Sequence, residues 1–240
     1  MKGHCGRNRR RAALAGGLAC LVGVAAADGA LLGSNLVANP SFENFDPDPD
    51  NGSIFGSLAV FEWDGDRAFA YDFSQGYTST APPGAGDKFW YGGGNGGGSI
   101  TQTIDVSTGE TAGAIASGGA HYDLSAFFSS YQTQDDNGTV MAQFLDSGGG
   151  ELASDAIGGQ AFLDTLLTDG DGARMWGQDA TGGSVPIGTT TILLTLTGDL
   201  QNGDAADGYI DLVNLTITPE PASLALLGLG GLLLARRRRE

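Results

Sequence analysis

Thiols and imidazoles are nearly missing from these 240 residues. There are two cysteines, Cys5 and Cys20, and two histidines, His4 and His121. Both cysteines fall in the first 27 residues. That segment has the order of a secretory signal peptide: basic Lys2, Arg7, Arg9, Arg10 and Arg11, an apolar run over 12–24, then small Ala25-Ala26-Ala27. Asp28 is the expected mature start. A chain trimmed there has no thiol, which excludes disulfides, cysteine nucleophiles and cysteine-ligated zinc. One histidine cannot build a multi-histidine metal site. His121 stands beside Tyr122 at a strand start and reads as structural.

Basic residues are also scarce. Nine of the twelve lie at the two ends, leaving Arg67, Lys88 and Arg174 against 26 acids over residues 28–218, a formal charge of −23. Such a surface repels nucleic acid and anionic membranes. It suits divalent cations or saline surroundings, and it also serves plain solubility. Catalytic signatures are lacking as well. There is no Gly-x-Ser-x-Gly elbow, and the glycine run over 92–98 has no phosphate-loop lysine and opens no helix. With Asn95 at its centre, that run reads as a flexible loop. No glycosidase carboxylate pair stands out among so many acids. The chain reads as a non-enzyme.

Alternation is what the middle of the chain does have. Ile100, Gln102, Ile104 and Val106 share one face. Tyr122, Leu124, Ala126 and Phe128 form another such set, then Val140, Ala142 and Phe144, then Ile192, Leu194 and Leu196, then Val213, Leu215 and Ile217. Period-two runs between glycine-rich turns indicate strands with one buried face. Helical periodicity is absent. The expectation is all-β: a single antiparallel β-sandwich, a jelly roll of eight or so strands over residues 28–218, with first and last strands adjacent. An N-terminal signal helix over 1–27 and a short C-terminal apolar helix in 219–240 flank it.

Several stretches of this middle part resemble the galactose-binding-like, carbohydrate-binding-module-like jelly rolls. They are, in order, the opening Asn35-Leu36-Val37-Ala38-Asn39-Pro40-Ser41-Phe42-Glu43, the strand Ile100-Thr101-Gln102-Thr103-Ile104-Asp105-Val106, the runs Tyr122 through Phe127 and Phe144 through Gly149, and the closing run Asp207 through Leu215. The acidic, glycine-rich stretch between Phe45 and Gly98 departs from the compact pattern. The resemblance implies a structural calcium ion tying the first strand to the last, with Glu43 and Asp211 at the matching positions. The bland alternative is that both cap strand ends. A second acidic loop, Asp46-Pro47-Asp48-Pro49-Asp50-Asn51-Gly52, lacks the spacing and twelfth-position glutamate of an EF-hand. Sugar faces stack on exposed aromatic rings, and Trp90, Tyr91 and Trp176 are the candidates. Trp63 is another Trp flanked by polar residues. A Trp in a sandwich is more often core than ligand platform.

The last 22 residues have three parts. Pro219-Glu220-Pro221 ends the strand pattern, since proline continues neither a ladder nor a helix interior. Residues 222–235 are almost wholly apolar, and Arg236, Arg237, Arg238 and Arg239 follow. As a helix the apolar part spans about 21 Å, short of the roughly 30 Å hydrocarbon core. The arginines are a stop-transfer flank of the kind kept in the cytoplasm. This order resembles the PEP-CTERM protein-sorting tail, which implies export, recognition by exosortase, a membrane transpeptidase, and a transient membrane anchor at the cell surface or in the extracellular matrix. An ordinary single-pass anchor is the alternative.

Two roles compete for the domain. One is a surface-sorted structural or matrix protein. The other is a module that binds an extracellular polysaccharide, favoured if an aromatic row is exposed. A glycan-active enzyme is a third, and needs two carboxylates converging in a cleft.

Overall fold

The structure, a computed structural model, describes residues 32–46, 58–65, 69–76, 78–94 and 96–220. The signal segment, most of the acidic loop at 46–52 and the tail beyond Glu220 lie outside the described residues.

Ten strands form. Two short ones, β1 (Leu58–Ala59) and β2 (Phe69–Asp72), precede eight longer ones: β3 (Lys88–Gly94), β4 (Gly98–Asp105), β5 (Ala120–Ser130), β6 (Asn137–Leu145), β7 (Glu151–Gly158), β8 (Gly177–Ser184), β9 (Thr191–Asp199) and β10 (Ala205–Pro219). One sheet has the order β1-β2-β3-β10-β5-β8 and the other β4-β9-β6-β7, with every strand pair antiparallel. Without the two short edge strands, two sheets of four remain. Successive strands cross between them except at the β6–β7 hairpin, which is jelly-roll topology. Two helices, α1 (Gly109–Ala116) and α2 (Gly159–Leu163), interrupt the strands; period-two reasoning does not show them.

The core lies between the sheets and consists of the alternating sets. Ile100, Leu124, Ala126, Val140, Ala142, Ile192, Leu194, Leu196, Val213, Leu215 and Ile217 are all at zero exposure. Gln102 sits among them because its carboxamide is satisfied: Nε2 donates to the Ala38 and Glu62 carbonyls and Oε1 accepts the Ala38 N–H. The opening segment runs beside β10, as adjacency of first and last strands requires. Asn35 bridges Thr216, and the Leu36 N–H donates to the Leu215 carbonyl.

Two expectations need correction. The glycines at 92–94 are strand, not loop, and are buried in β3, while Gly98 opens β4. The reason is proximity: a Cβ at Gly92 would lie 2.7 Å from the Gly198 Cα of the opposite sheet, so a side chain there would force the sheets apart. Pro219 is also inside β10, paired with Ala120. At a strand's last residue the missing N–H interrupts no further ladder.

Candidate functional site

Three places on the sandwich carry chemistry. The first is a carboxylate pair. Asp211 sits in β10 where the register against β5 shifts between Asp211 and Asn214. Leu212 there adopts φ 51° and Phe42, beside Glu43, adopts φ 58°. Bulky residues pay for the left-handed region, so the surrounding structure holds both carboxylates in place at a cost. Asp211 is fully buried. Its Oδ1 accepts the Leu212 N–H at 2.7 Å, and its Oδ2 has no hydrogen-bond partner. Burial pushes the Asp211 carboxyl up to about 9; the Leu212 hydrogen bond opposes this and the Glu43 charge adds to it. Glu43 Oε1 accepts the N–H groups of Asp87 and Lys88 at 2.8 and 2.7 Å. Gly86 makes room, since a Cβ there would lie 2.5 Å from Glu43 Oε1. The orphaned buried Asp211 oxygen, within reach of the Glu43 charge, fits a hard cation that would displace the Asp211 proton. Among the described residues no group of three or more His, Cys, Asp or Glu gathers for a metal, so main-chain carbonyls or water would complete such a shell.

The second place is aromatic. Alternation along β3 sends Trp90 into the main core and Phe89 and Tyr91 to the outer face of the larger sheet. There Phe89, Tyr91 and Tyr209 form a second cluster, covered by Phe73, Tyr131 and Trp176. Trp90 and Tyr91 are both at zero exposure. Neither offers a ring face to a sugar, so the stacking role expected of them does not fit. The pleat explains Trp90; a covering loop, which strand periodicity does not show, explains Tyr91.

Trp176 is placed differently. Half-buried just before β8, it meets Phe89, Phe73 and Tyr209 at ring-centroid distances of 5.6, 5.7 and 6.3 Å. It also lines a hollow of about 240 Å³ with Phe127, Pro82, Pro83, Met175 and Asp169. The Trp176 Nε1 is buried and has no partner. Met175 and Leu167 on the adjoining hairpin are 45% and 74% exposed. Of the three aromatic candidates, Trp176 alone borders an opening.

The third place is a polar cleft of about 480 Å³, lined by Asp135, Asn137, Gln160, Asp164, Gln201 and Asn202. Residue by residue, these polar positions, drawn from loops, the start of β6 and α2, carry no sequence signal; only the fold gathers them. Arg174 lies between cleft and hollow. Its guanidinium donates to the Leu163 and Gln134 carbonyls and stands 3.8 Å from Asp135 Oδ1.

Two comparisons bear on the chain. Residues 218–239 match the PEP-CTERM protein-sorting motif. Among curated proteins, none matches. Among solved structures, the enzymatically active domain of bacteriophage CBA120 tailspike protein 4 is similar at a TM-score of 0.45 and 15% identity, over 76% of this chain and 21% of that one. The chain thus spans about a fifth of that relative. The CBM22-1 xylan-binding domain from Paenibacillus barcinonensis Xyn10C gives 0.41 and 11%, over 80% of this chain and 100% of that one. A CBM4 structure gives 0.34 and 14%, over 77% and 99%. The PEP-CTERM match covers the tail; the tail beyond Glu220 and its arginines lie outside the described residues. Among the described residues no helix is long and apolar enough to cross a membrane.

Proposed function

We propose that this chain is an exported protein, sorted to the cell surface through its PEP-CTERM tail by exosortase, whose sandwich binds an extracellular polysaccharide without cleaving it. The observation that carries the binding reading is the Trp176 hollow. It offers a half-buried indole, a phenyl ring and two prolines as flat apolar walls, with the hydroxyls of Ser79 and Thr80 and the carboxylate of Asp169 beside them. Sugars present apolar C–H faces and polar edges, and such a mixture complements both. The hollow is smaller than the roughly 300–1,000 Å³ of drug-sized sites. It suits one sugar ring of a longer chain.

Asp169 is the single carboxylate lining the hollow among the described residues, and its Oδ1 already accepts the Asp171 and Ala173 N–H groups. Glycoside hydrolysis asks for two carboxylates, one of them kept protonated by burial. Asp135 and Asp164 in the polar cleft are both exposed, which does not favour that role. Glu43 and Asp211 would hold a calcium ion that pins the opening segment to β10, a structural part away from the ligand.

Glycan-array binding tests the reading. Trp176→Ala should weaken binding to the best neutral oligosaccharide about tenfold or more, the equivalent of about 1.4 kcal/mol. Met175→Glu, at an exposed lining position, should weaken it without touching the aromatic cluster. Wild-type binding by both variants would remove the Trp176 hollow as the site.

A further inference from the structure

We propose that the polar cleft is a second recognition site, built for neutral or amine-bearing sugar units and closed to acidic ones. The inference rests on the carbohydrate reading for the kind of ligand, but on different residues.

The cleft is assembled with fixed walls. Asp136 is fully buried, and its Oδ1 accepts the backbone N–H groups of Gln201 and Asn202, while its Oδ2 accepts that of Asp207. The Asp135 N–H donates to Asn202 Oδ1 at 3.0 Å. The β9–β10 loop is therefore pinned to the β5–β6 loop rather than left free. On the other side, Arg174 ties the end of α2 through the Leu163 carbonyl at 2.6 Å. Asn137, 5% exposed at the start of β6, donates to Gln160 Oε1 at 3.4 Å, and Gln160 Nε2 donates to Asp164 Oδ1 at 2.7 Å.

Four carboxamides and two carboxylates line this space, and no aliphatic, aromatic or basic side chain is among them. Carboxamides both donate and accept, and carboxylates accept. That inventory matches vicinal hydroxyls, which do both. The buried Arg174 guanidinium donates to the Leu163 and Gln134 carbonyls and stands 3.8 Å from Asp135 Oδ1. A uronate, sulfate or phosphate would thus meet two like charges at the cleft wall, with Arg174 buried and engaged outside the lining, which is specificity by repulsion. An amino sugar would meet two acceptors of opposite charge.

The test uses the full chain with three probes: cellohexaose (neutral), a chitosan hexamer (amine-bearing) and hexagalacturonate (acidic). Wild type should bind the first two and not the third. Gln160→Ala with Asp164→Ala should lower cellohexaose affinity about tenfold through lost hydrogen bonds. Asp135→Asn with Asp164→Asn, which keeps shape and hydrogen bonding, should weaken the chitosan hexamer and admit hexagalacturonate. If Trp176→Ala leaves binding intact while the cleft variants reduce it, the cleft stands and the Trp176 hollow falls. If the cleft variants keep the wild-type response to each of the three probes, the cleft proposal is overturned and the hollow is judged on Trp176→Ala alone. Wild-type binding of hexagalacturonate as tight as cellohexaose overturns it too. So does failure to bind any of the three, or release of shorter oligosaccharides, which would make the cleft a cutting site.

Discussion

Single carboxyl groups set how the stability of this domain depends on pH, and on the calcium proposal one of them also ties it to metal. Burial pushes Asp207 up to about 7; the Asp136 charge adds to this, and a hydrogen bond from Tyr209 opposes it. Its ordinary value is 3.8. Between those two values the folded state holds a proton that the unfolded state has released. Stability therefore falls as pH rises from about 4 to about 7, with the sign set by the protons bound in each state. Asp207→Asn should match wild type near pH 4 and exceed it at pH 8 by about 1–2 kcal/mol, a figure already discounted for solvent screening. Urea titrations at the two pH values check this, and equal midpoint shifts at both would refute it. Asp211 is the stronger case, because an ion can relieve it. Calcium at a hundredfold excess over its dissociation constant should add about 2.7 kcal/mol. Chelator should lower the melting temperature of wild type, and Asp211→Ala should abolish that response. A melting temperature indifferent to chelator removes the calcium reading.

Strands and their contacts were the legible part of the sequence; what covers them was not. The sets from Ile100 to Ile217 alternate because one face of each strand meets the opposite sheet, and each set is buried as the pattern requires. Asn35 and Gln102 were legible as motif residues, and the structure gives them work as partners of backbone on neighbouring segments. The glycines at 92–94 misled because composition reports freedom, whereas their need is closeness. Gly92→Ala should cost about 3 kcal/mol through overpacking against Gly198, read as a lower denaturation midpoint with an unchanged slope. Tyr91 misled because its covering residues, Phe73 and Trp176, come from loops distant in sequence. A clasp between the sheets was invisible for the same reason. Asp155 on β7 accepts the Tyr122 hydroxyl of β5 and the Thr181 hydroxyl of β8, both at 2.8 Å. Asp155→Ala should cost about 1–3 kcal/mol by stranding these groups, and a loss below that range at pH 7 would show the clasp to be decorative.

Across the whole molecule, β10 connects the two ends that matter. Its start, at Ala205, lies with the loops that form the polar cleft. Its end, at Pro219, meets Ala120, and the Glu220 N–H donates to the Gly119 carbonyl at 2.7 Å. Fifteen strand residues span roughly 45 Å, so the tail leaves the pole opposite the cleft. Gly33, bonded to the Ile217 carbonyl, puts the described N-terminal segment at that same pole. A surface-sorted binder gains from this, since attachment at one pole presents the other outward. On the exosortase proposal, the arrangement would also limit processing. Pro219 and Glu220 are held against β5, with no spacer between the sandwich and the Pro-Glu-Pro motif. A transpeptidase needs its substrate extended and unpaired, so the last turn of pairing must open first. Six Gly-Ser residues inserted between Thr218 and Pro219 supply that slack without altering the motif. Pulse-labelling with intact-mass analysis of surface material should then show faster trimming than wild type. Changing Pro219, Glu220 and Pro221 to Ala should leave the chain inserted and untrimmed, and changing Arg236, Arg237, Arg238 and Arg239 to Ser should release uncut precursor outside. If the Ala variant is trimmed and located like wild type, the tail acts as an ordinary anchor. If the spacer leaves the rate unchanged, the strand end opens freely and the fold exerts no control over sorting.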